Sequence, residues 1–238
     1  MEPINPPLNN ALSTGTGSFS PASRGGNEIG AEESPGRPLL AVDRPATLIY
    51  RLPTITERLA LDELFVHPQP LEVELGSGDG SFILQYATHK PERNFLGVER
   101  LLGRLRKINR KGLRAGLNNL RLLRIEARYF LEYLLPDESV CALHVYFPDP
   151  WPKRKHLRHR LINPRFTELA RRVLAPGGAV FLRTDDADYF GQMTAVFADN
   201  PSFAPETTPA ALLAIVTDFE RDFLARGIPT RHAAFKRR

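Results

Sequence analysis

The sequence predicts an α/β fold: a mostly parallel central sheet with helices on both faces. From residue 71 onward, short apolar runs alternate with segments of helical spacing, the order that lays parallel strands side by side through helical crossovers. A glycine-rich turn, Gly76-Ser77-Gly78-Asp79-Gly80, follows the first apolar run and opens the first helical segment. In such sheets a ligand sits beyond the carboxyl ends of the strands, near the point where strand order reverses.

Residues 1–45 are rich in Pro, Gly, Ser and Asn, with no periodic set of large apolar side chains. Such a stretch cannot repay the entropy of ordering, and a disordered tail is expected. Residues 46–238 are then expected to form a single domain. Strands are expected at 71–75, 94–99, 120–125, 140–147 and 179–183, where short runs are rich in Leu, Val and Phe. Helical spacing marks 82–88, 101–114, 130–134, 166–174 and 189–198, and Pro176-Gly177-Gly178 is read as a turn before the last strand.

The 238 residues are 42% hydrophobic and 25% charged, a globular balance. No apolar stretch approaches the roughly 20 residues that a membrane helix needs. The first thirty residues lack a basic start followed by an apolar core, so no secretory signal is expected. Cys141 is the chain's one cysteine and cannot form an internal disulfide; a reducing cytoplasm fits.

Lys and Arg number 32 against 27 Asp and Glu, a net charge of +5. The distribution is more telling. Arg100, Arg104, Arg106, Lys107, Arg110, Lys111 and Arg114 fall in one acid-free segment, and Lys236-Arg237-Arg238 ends the chain. A third cluster, Lys153-Arg154-Lys155-His156-Leu157-Arg158-His159-Arg160, comes just after Tyr146-Phe147-Pro148-Asp149-Pro150-Trp151. An apolar strand that stops at a carboxylate and an indole, then turns into positive charge, reads as a base-sized reaction site beside a phosphate-binding surface. Together the clusters favour a nucleic acid partner. The segment from Arg100 to Arg114 either extends that footprint or is solvated helix surface.

The glycines Gly76, Gly78 and Gly80 let the backbone turn tightly and approach a ligand. Glu99 ends the second strand nineteen residues after Gly80, where an acid can accept from both hydroxyls of a ribose. Two nucleoside cofactors compete. A dinucleotide site has the pattern G-x-G-x-x-G, but Ser81 occupies the position of its last glycine. Glu74, two residues before Gly76, would be poorly placed for a pyrophosphate and suits a cofactor that carries an ammonium and a sulfonium. S-adenosylmethionine fits better than NAD.

Glu74-Leu75-Gly76 with Gly78 and Gly80, Gly97-Val98-Glu99, Phe147-Pro148-Asp149-Pro150-Trp151 with Lys153, Thr184-Asp185, and Thr217 with Phe219-Glu220 occur in this order. This order resembles the tRNA (guanine-N7-)-methyltransferases of bacteria, from about residue 71 to the C-terminus. The resemblance implies a class I S-adenosylmethionine-dependent methyltransferase (Rossmann-like) domain that methylates a guanine in the variable loop of tRNA. It puts cofactor contacts on Glu74, Glu99, Glu126 and Asp149. The substrate side falls on Lys153, Asp185, Thr217, Asp218, Phe219 and Glu220, with the run from Arg154 to Arg160 facing RNA. Glu126 departs from the aspartate often found at its position by one methylene. The implied protein is a monomer or homodimer without an obligatory partner subunit.

Guanine N7 carries an in-plane lone pair and no proton, so methylation needs no general base. Asp149 is therefore expected to position the base and stabilise charge, its direction held by Pro148 and Pro150. Trp151 can cap the core, stack on a base or support the Asp149 loop. His144 is read as a satisfied core histidine. His156 and His159 lie among cations, and no metal site is expected. Of Asp185 and Asp186, one is expected to cap a helix and the other to face substrate.

Overall fold

The computed structural model describes residues 45–238; the tail expected over residues 1–45 falls outside them but for its last residue. The chain runs β1 (Ile49–Tyr50), β2 (Leu71–Leu75), α1 (Ile83–His89), β3 (Asn94–Val98), α2 (Leu102–Arg114), β4 (Leu120–Leu123) and α3 (Ala127–Tyr129). It continues with β5 (Val140–Tyr146), α4 (Pro164–Val173), β6 (Leu174–Thr184), α5 (Ala187–Ala198), β7 (Phe203–Glu206), α6 (Ala210–Leu213), α7 (Asp218–Ala225) and β8 (Arg231–Arg237). The eight strands lie in the order β1-β4-β3-β2-β5-β6-β8-β7. All pairings are parallel except those of β8, which runs antiparallel to β6 and β7. Strand order reverses between β2 and β5, which opens the crevice where ligands bind in such sheets.

Every residue of β2 and β3 is buried, as expected of strands covered on both faces. Val73 and Leu75 join an apolar cluster with Phe166, Leu169, Met193 and Phe197 of α4 and α5. A second cluster takes Ile83, Leu105 and Ile108 from α1 and α2 together with Phe95 and Leu122. Leu105 and Ile108 have no exposed surface, and burying such side chains stabilises by about 1.5–3 kcal/mol each. Four helices carry side-chain caps: Glu126 before α3, Asn163 accepting from the Phe166 N–H before α4, Asp186 from the Tyr189 N–H before α5, and Thr217, which opens α7 in a capping box with Glu220.

Two expectations need correction. The segment 130–134 is a π-helical turn, Phe130–Leu134, that continues α3. The Pro176-Gly177-Gly178 segment lies inside β6 as a bulge, because Leu174 already pairs with Val140 before Ala179 pairs with Ala142. Gly177 adopts φ +77°, and a Cβ on Gly178 would lie 3.0 Å from the Cys141 carbonyl oxygen, so glycine is what lets the extra residues pass.

Candidate active site

The turn after β2 is pinned to the end of β3. The N–H groups of Gly76 and Ser77 both donate to the Val98 carbonyl, at 2.8 and 3.0 Å. Glu99 braces the same corner: its carboxylate accepts from the Gly78 N–H at 3.0 Å and the Leu101 N–H at 2.7 Å. Gly76 has φ +84° and a Cβ there would meet nothing within 4 Å, so its side faces open space. Gly80, at φ +82°, does different work: a Cβ would sit 2.9 Å from Ile108 on α2, and glycine lets the turn pack on that helix.

Glu74 is the penultimate residue of β2, just before this turn. It is buried, and its Oε2 has no hydrogen-bond partner. Burial pushes its carboxyl up to about 8, opposed by a hydrogen bond from Ser77 and by the Arg183 charge, with the negative charges of Asp79 and Glu99 adding to the rise. A buried carboxylate left unsatisfied costs several kcal/mol unless a donor or cation arrives. The residues present fit a nucleoside carrying positive charge: Glu74 offers an unpaired oxygen, Gly76 an open approach, and Glu99 spare lone pairs.

From here a cleft of about 710 Å³ opens, within the range of small-molecule sites, lined by Glu99, Arg104, Glu126, Tyr146, Asp149 and Phe219, among others. A smaller recess reaches Glu74, Ser77 and Thr217 and shares Arg104, Tyr146 and Phe219 with the cleft. Glu126 also caps α3, accepting from the N–H groups of Arg128 and Tyr129.

Asp149 is exposed at the cleft wall on the loop after β5. Two non-glycine residues with left-handed backbone bracket it, Phe147 at φ +50° and Trp151 at φ +45°. Each such conformation costs about 1–3 kcal/mol and persists only where its surroundings impose it. Phe147 is tied by its N–H to the Arg183 carbonyl at 2.8 Å. Trp151 does not cap the core. It is 36% exposed, with His156 edge-on at 5.7 Å and His159 at 5.2 Å.

The basic run forms a 3-10 helix, Arg154–His159. Lys153, Arg154, Lys155, Arg158 and His159 are exposed, His156 and Leu157 half-buried. Among the described residues no acid lies within ion-pair distance of these cations. Arg160 does not share this placement, and the expectation that it faces RNA is corrected. It is 2% exposed, with its guanidinium on the Pro150 carbonyl, Gln192 and Asp188 at 2.7, 2.8 and 2.6 Å. A buried guanidinium must satisfy its donors internally, and here it has done so.

Asp185 lines the cleft while Asp186 caps α5, the helix cap expected of one of the pair. Phe219 is exposed and stacks on Phe147 at 6.0 Å between ring centres. Asp218 pairs with Arg221. Thr217 and Glu220 are buried: the Thr217 hydroxyl accepts from the Glu220 N–H at 3.1 Å, and Glu220 Oε2 accepts from the Thr217 N–H at 2.8 Å. Glu220 also receives Arg183 at 2.9 Å. Arg183 further donates to the carbonyls of Ile215 and Leu212 and lies over the Tyr146 ring at 4.3 Å. His144 is a satisfied core histidine, bonded to Glu72 at 2.7 Å and Tyr146 at 2.9 Å. Burial pushes the Glu72 carboxyl up, but His144 and Arg93 outweigh it and hold it below its ordinary value.

Three residues of this region escaped sequence reasoning as site residues. Arg104 was visible only as one cation of a basic helix, and Tyr146 only as the first letter of a motif. Arg183 had a signal, a cation inside an apolar strand. Among the described residues no cluster of metal-ligating side chains occurs, and no helix is long and apolar enough to cross a membrane.

Residues 68–231 match the model of the family Methyltransf_4, described as "Putative methyltransferase". The tRNA (guanine-N(7)-)-methyltransferase of Syntrophotalea carbinolica is 42% identical over 56% of this chain and 57% of its own length. The enzymes of that name from Halorhodospira halophila and Myxococcus xanthus are each 35% identical, over 70% and 72% of this chain and 74% and 85% of theirs. The match thus spans less than two thirds of the first of these relatives and more of the other two. In structure the chain is similar to TrmN from Thermus thermophilus, with a TM-score of 0.52, 20% identity and coverage of 73% of this chain and 45% of that one. It is also similar to the 16S rRNA methyltransferase KamB, with a TM-score of 0.50, 18% identity and coverage of 71% and 87%. The fold is that of the class I S-adenosylmethionine-dependent methyltransferases, and the chain belongs to the bacterial tRNA (guanine-N7-)-methyltransferase family.

Proposed function

We propose that this protein transfers a methyl group from S-adenosylmethionine to N7 of a guanine in the variable loop of tRNA, acting in the cytoplasm through a single domain over residues 46–238. One observation carries the reading furthest. A carboxylate held between two prolines on a strained loop faces a cleft with an unpaired cationic helix at its rim, and the adjoining recess holds a buried unpaired acid.

When bound, S-adenosylmethionine supplies an electrophilic methyl on a sulfonium. Glu74 would provide its counter-charge, Glu99 would accept from ribose hydroxyls, and Glu126 is the residue available to adenine. Asp149 accepts from the N1 and N2 donors of guanine and stabilises the positive charge that the ring gains. Phe219 and Trp151 offer aromatic faces for an unstacked base. Thr217 and Glu220, bonded to each other and to Arg183, act by fixing the start of α7 that carries Phe219. Lys153 and Asp185 border the substrate, and Arg154, Lys155 and Arg158 meet phosphates. No residue has to remove a proton, so alignment dominates, an effect that reaches roughly 7–11 kcal/mol in well-oriented reactions.

The test is methyl transfer from labelled S-adenosylmethionine to unmodified total tRNA, followed by nuclease digestion and chromatography. Labelled 7-methylguanosine is the expected product. Cofactor binding with no labelled tRNA would overturn the assignment of acceptor.

A further inference from the structure

We infer that Arg160 is a positioning residue for Asp149: a buried guanidinium that clamps the Pro148-Asp149-Pro150 loop onto α5. The basic run contributes seven cationic or imidazole groups from Lys153 to Arg160, and Arg160 alone among them is buried. Its donors are spent in two directions. Nε donates to the Pro150 carbonyl at 2.7 Å, one residue from Asp149. The Nη groups donate to Gln192 at 2.8 Å and Asp188 at 2.6 Å, both on α5, and the guanidinium lies over the Tyr189 ring at 4.7 Å.

This bond falls inside the strained segment. Phe147 and Trp151 hold left-handed backbone on either side of Pro150, and such backbone relaxes unless something opposes it. The Phe147 end is tied to β6 through the Arg183 carbonyl. At the Pro150 end the carbonyl's partner is Arg160. The planar, always charged fork of Arg suits this task, whereas Lys can supply only one of the directions well. Asp186 caps α5 and Asp185 precedes it on the cleft, so the clamp also ties the Asp149 loop to the Asp185 turn. Both walls of the cleft are then set by one side chain that touches neither substrate nor cofactor.

The chain's single tryptophan is Trp151, which makes the loop directly observable. The fluorescence measurement stands whatever the reaction; only the kinetic measurement rests on the methyl-transfer reading, which the wild-type control checks first. Arg160→Met, Arg160→Lys and the double variant Asp188→Ala/Gln192→Ala are compared with wild type by acrylamide quenching and anisotropy of Trp151. Expected is greater quenching and lower anisotropy in Arg160→Met, with Arg160→Lys intermediate. In turnover, kcat falls by up to about a hundredfold, as for a displacement of about 1 Å, while KM for tRNA and S-adenosylhomocysteine affinity change by less than about threefold. Unchanged Trp151 signals overturn the inference. So does a loss confined to tRNA affinity with a salt slope reduced by about one phosphate, which would make Arg160 an RNA contact. If Arg160→Met does not fold, the double variant decides, because Asp188 is 80% exposed at its side chain: wild-type fluorescence and kcat there overturn the clamp.

Discussion

Burial pushes the Glu74 carboxyl up to about 8, so at neutral pH most of the cofactor-free protein carries it protonated. A cofactor that brings positive charge beside it favours the carboxylate, and binding must then expel the proton. The ionised fraction rises from about 1% at pH 6 to about 24% at pH 7.5, and apparent affinity scales with that fraction. S-adenosylmethionine should bind about twentyfold more tightly at pH 7.5 than at pH 6, after a small correction for its own amino group, near roughly 7.7–8.0. Tyr146, raised well above its ordinary value by its burial, stays neutral throughout and adds nothing to the slope. Isothermal calorimetry in two buffers of different ionisation enthalpy should detect net release of roughly 0.8 proton per cofactor bound at pH 7, the loss from Glu74 less the small uptake by the cofactor's amino group. Glu74→Gln should lose both the slope and the proton. A wild-type affinity that is flat from pH 6 to 7.5, or a slope that survives in Glu74→Gln, would refute the reasoning. The same group limits stability. Its folded value lies above the ordinary 4.5, so its contribution is fully present below about 4.5 and is lost as pH rises through about 8. Cofactor-free Glu74→Gln should therefore be more stable than wild type at pH 9, by at most about 5 kcal/mol at 1.36 kcal/mol per pKa unit.

Asp149→Asn should lower single-turnover methyl transfer at saturating tRNA by about 10²–10³, the usual loss for one electrostatic stabiliser; an unchanged rate would remove Asp149 from the mechanism. Replacing Arg154, Lys155 and Arg158 together by Gln should reduce the salt slope of tRNA binding by roughly 2–3, at about 0.7–0.9 per phosphate contact, and leave calorimetric cofactor affinity alone. An unaltered slope would mean that this helix does not meet phosphates. Arg183→Met strands the buried Glu220 without its cation and should cost about 3–5 kcal/mol in urea unfolding. A cost below about 1 kcal/mol would show that the capping box alone secures α7.

The five strands nearest the cleft were legible because each is an apolar run that a parallel sheet buries on both faces, and 71–75 and 94–99 agree with β2 and β3 to within a residue. The strands and helices that sequence reasoning passed over share a reason. β1 has two residues, and β8 carries only Ala233, Ala234 and Phe235 among four cationic or imidazole side chains. The pairing of β8 with β6 and β7 comes from backbone partners distant in the chain, which local pattern does not report. The short helix α6 has four residues and no cap, too little for periodicity to register.

The site divides along a different line. Positions set by backbone conformation or helix capping were readable: the glycine turn and Glu99 meet at the ends of β2 and β3, Asp149 follows β5, and Asp186 caps α5. Charge was readable only in amount. Arg158 and Arg160 are two residues apart in one basic run, yet the first is exposed and the second is enclosed by Pro150, Asp188, Tyr189 and Gln192. Nothing local distinguishes them, because what separates a phosphate-binding cation from a buried clamp is an acid contributed by another element. Glu220 and Arg183 repeat the lesson: Glu220 looks like a surface charge beside Asp218, Arg221 and Asp222, Arg183 stands out only as a cation in an apolar strand, and each is buried against the other. In a chain this basic, then, the cations that shape the cleft are found by asking which have internal acceptors, and the candidates for phosphate contact by asking which have none.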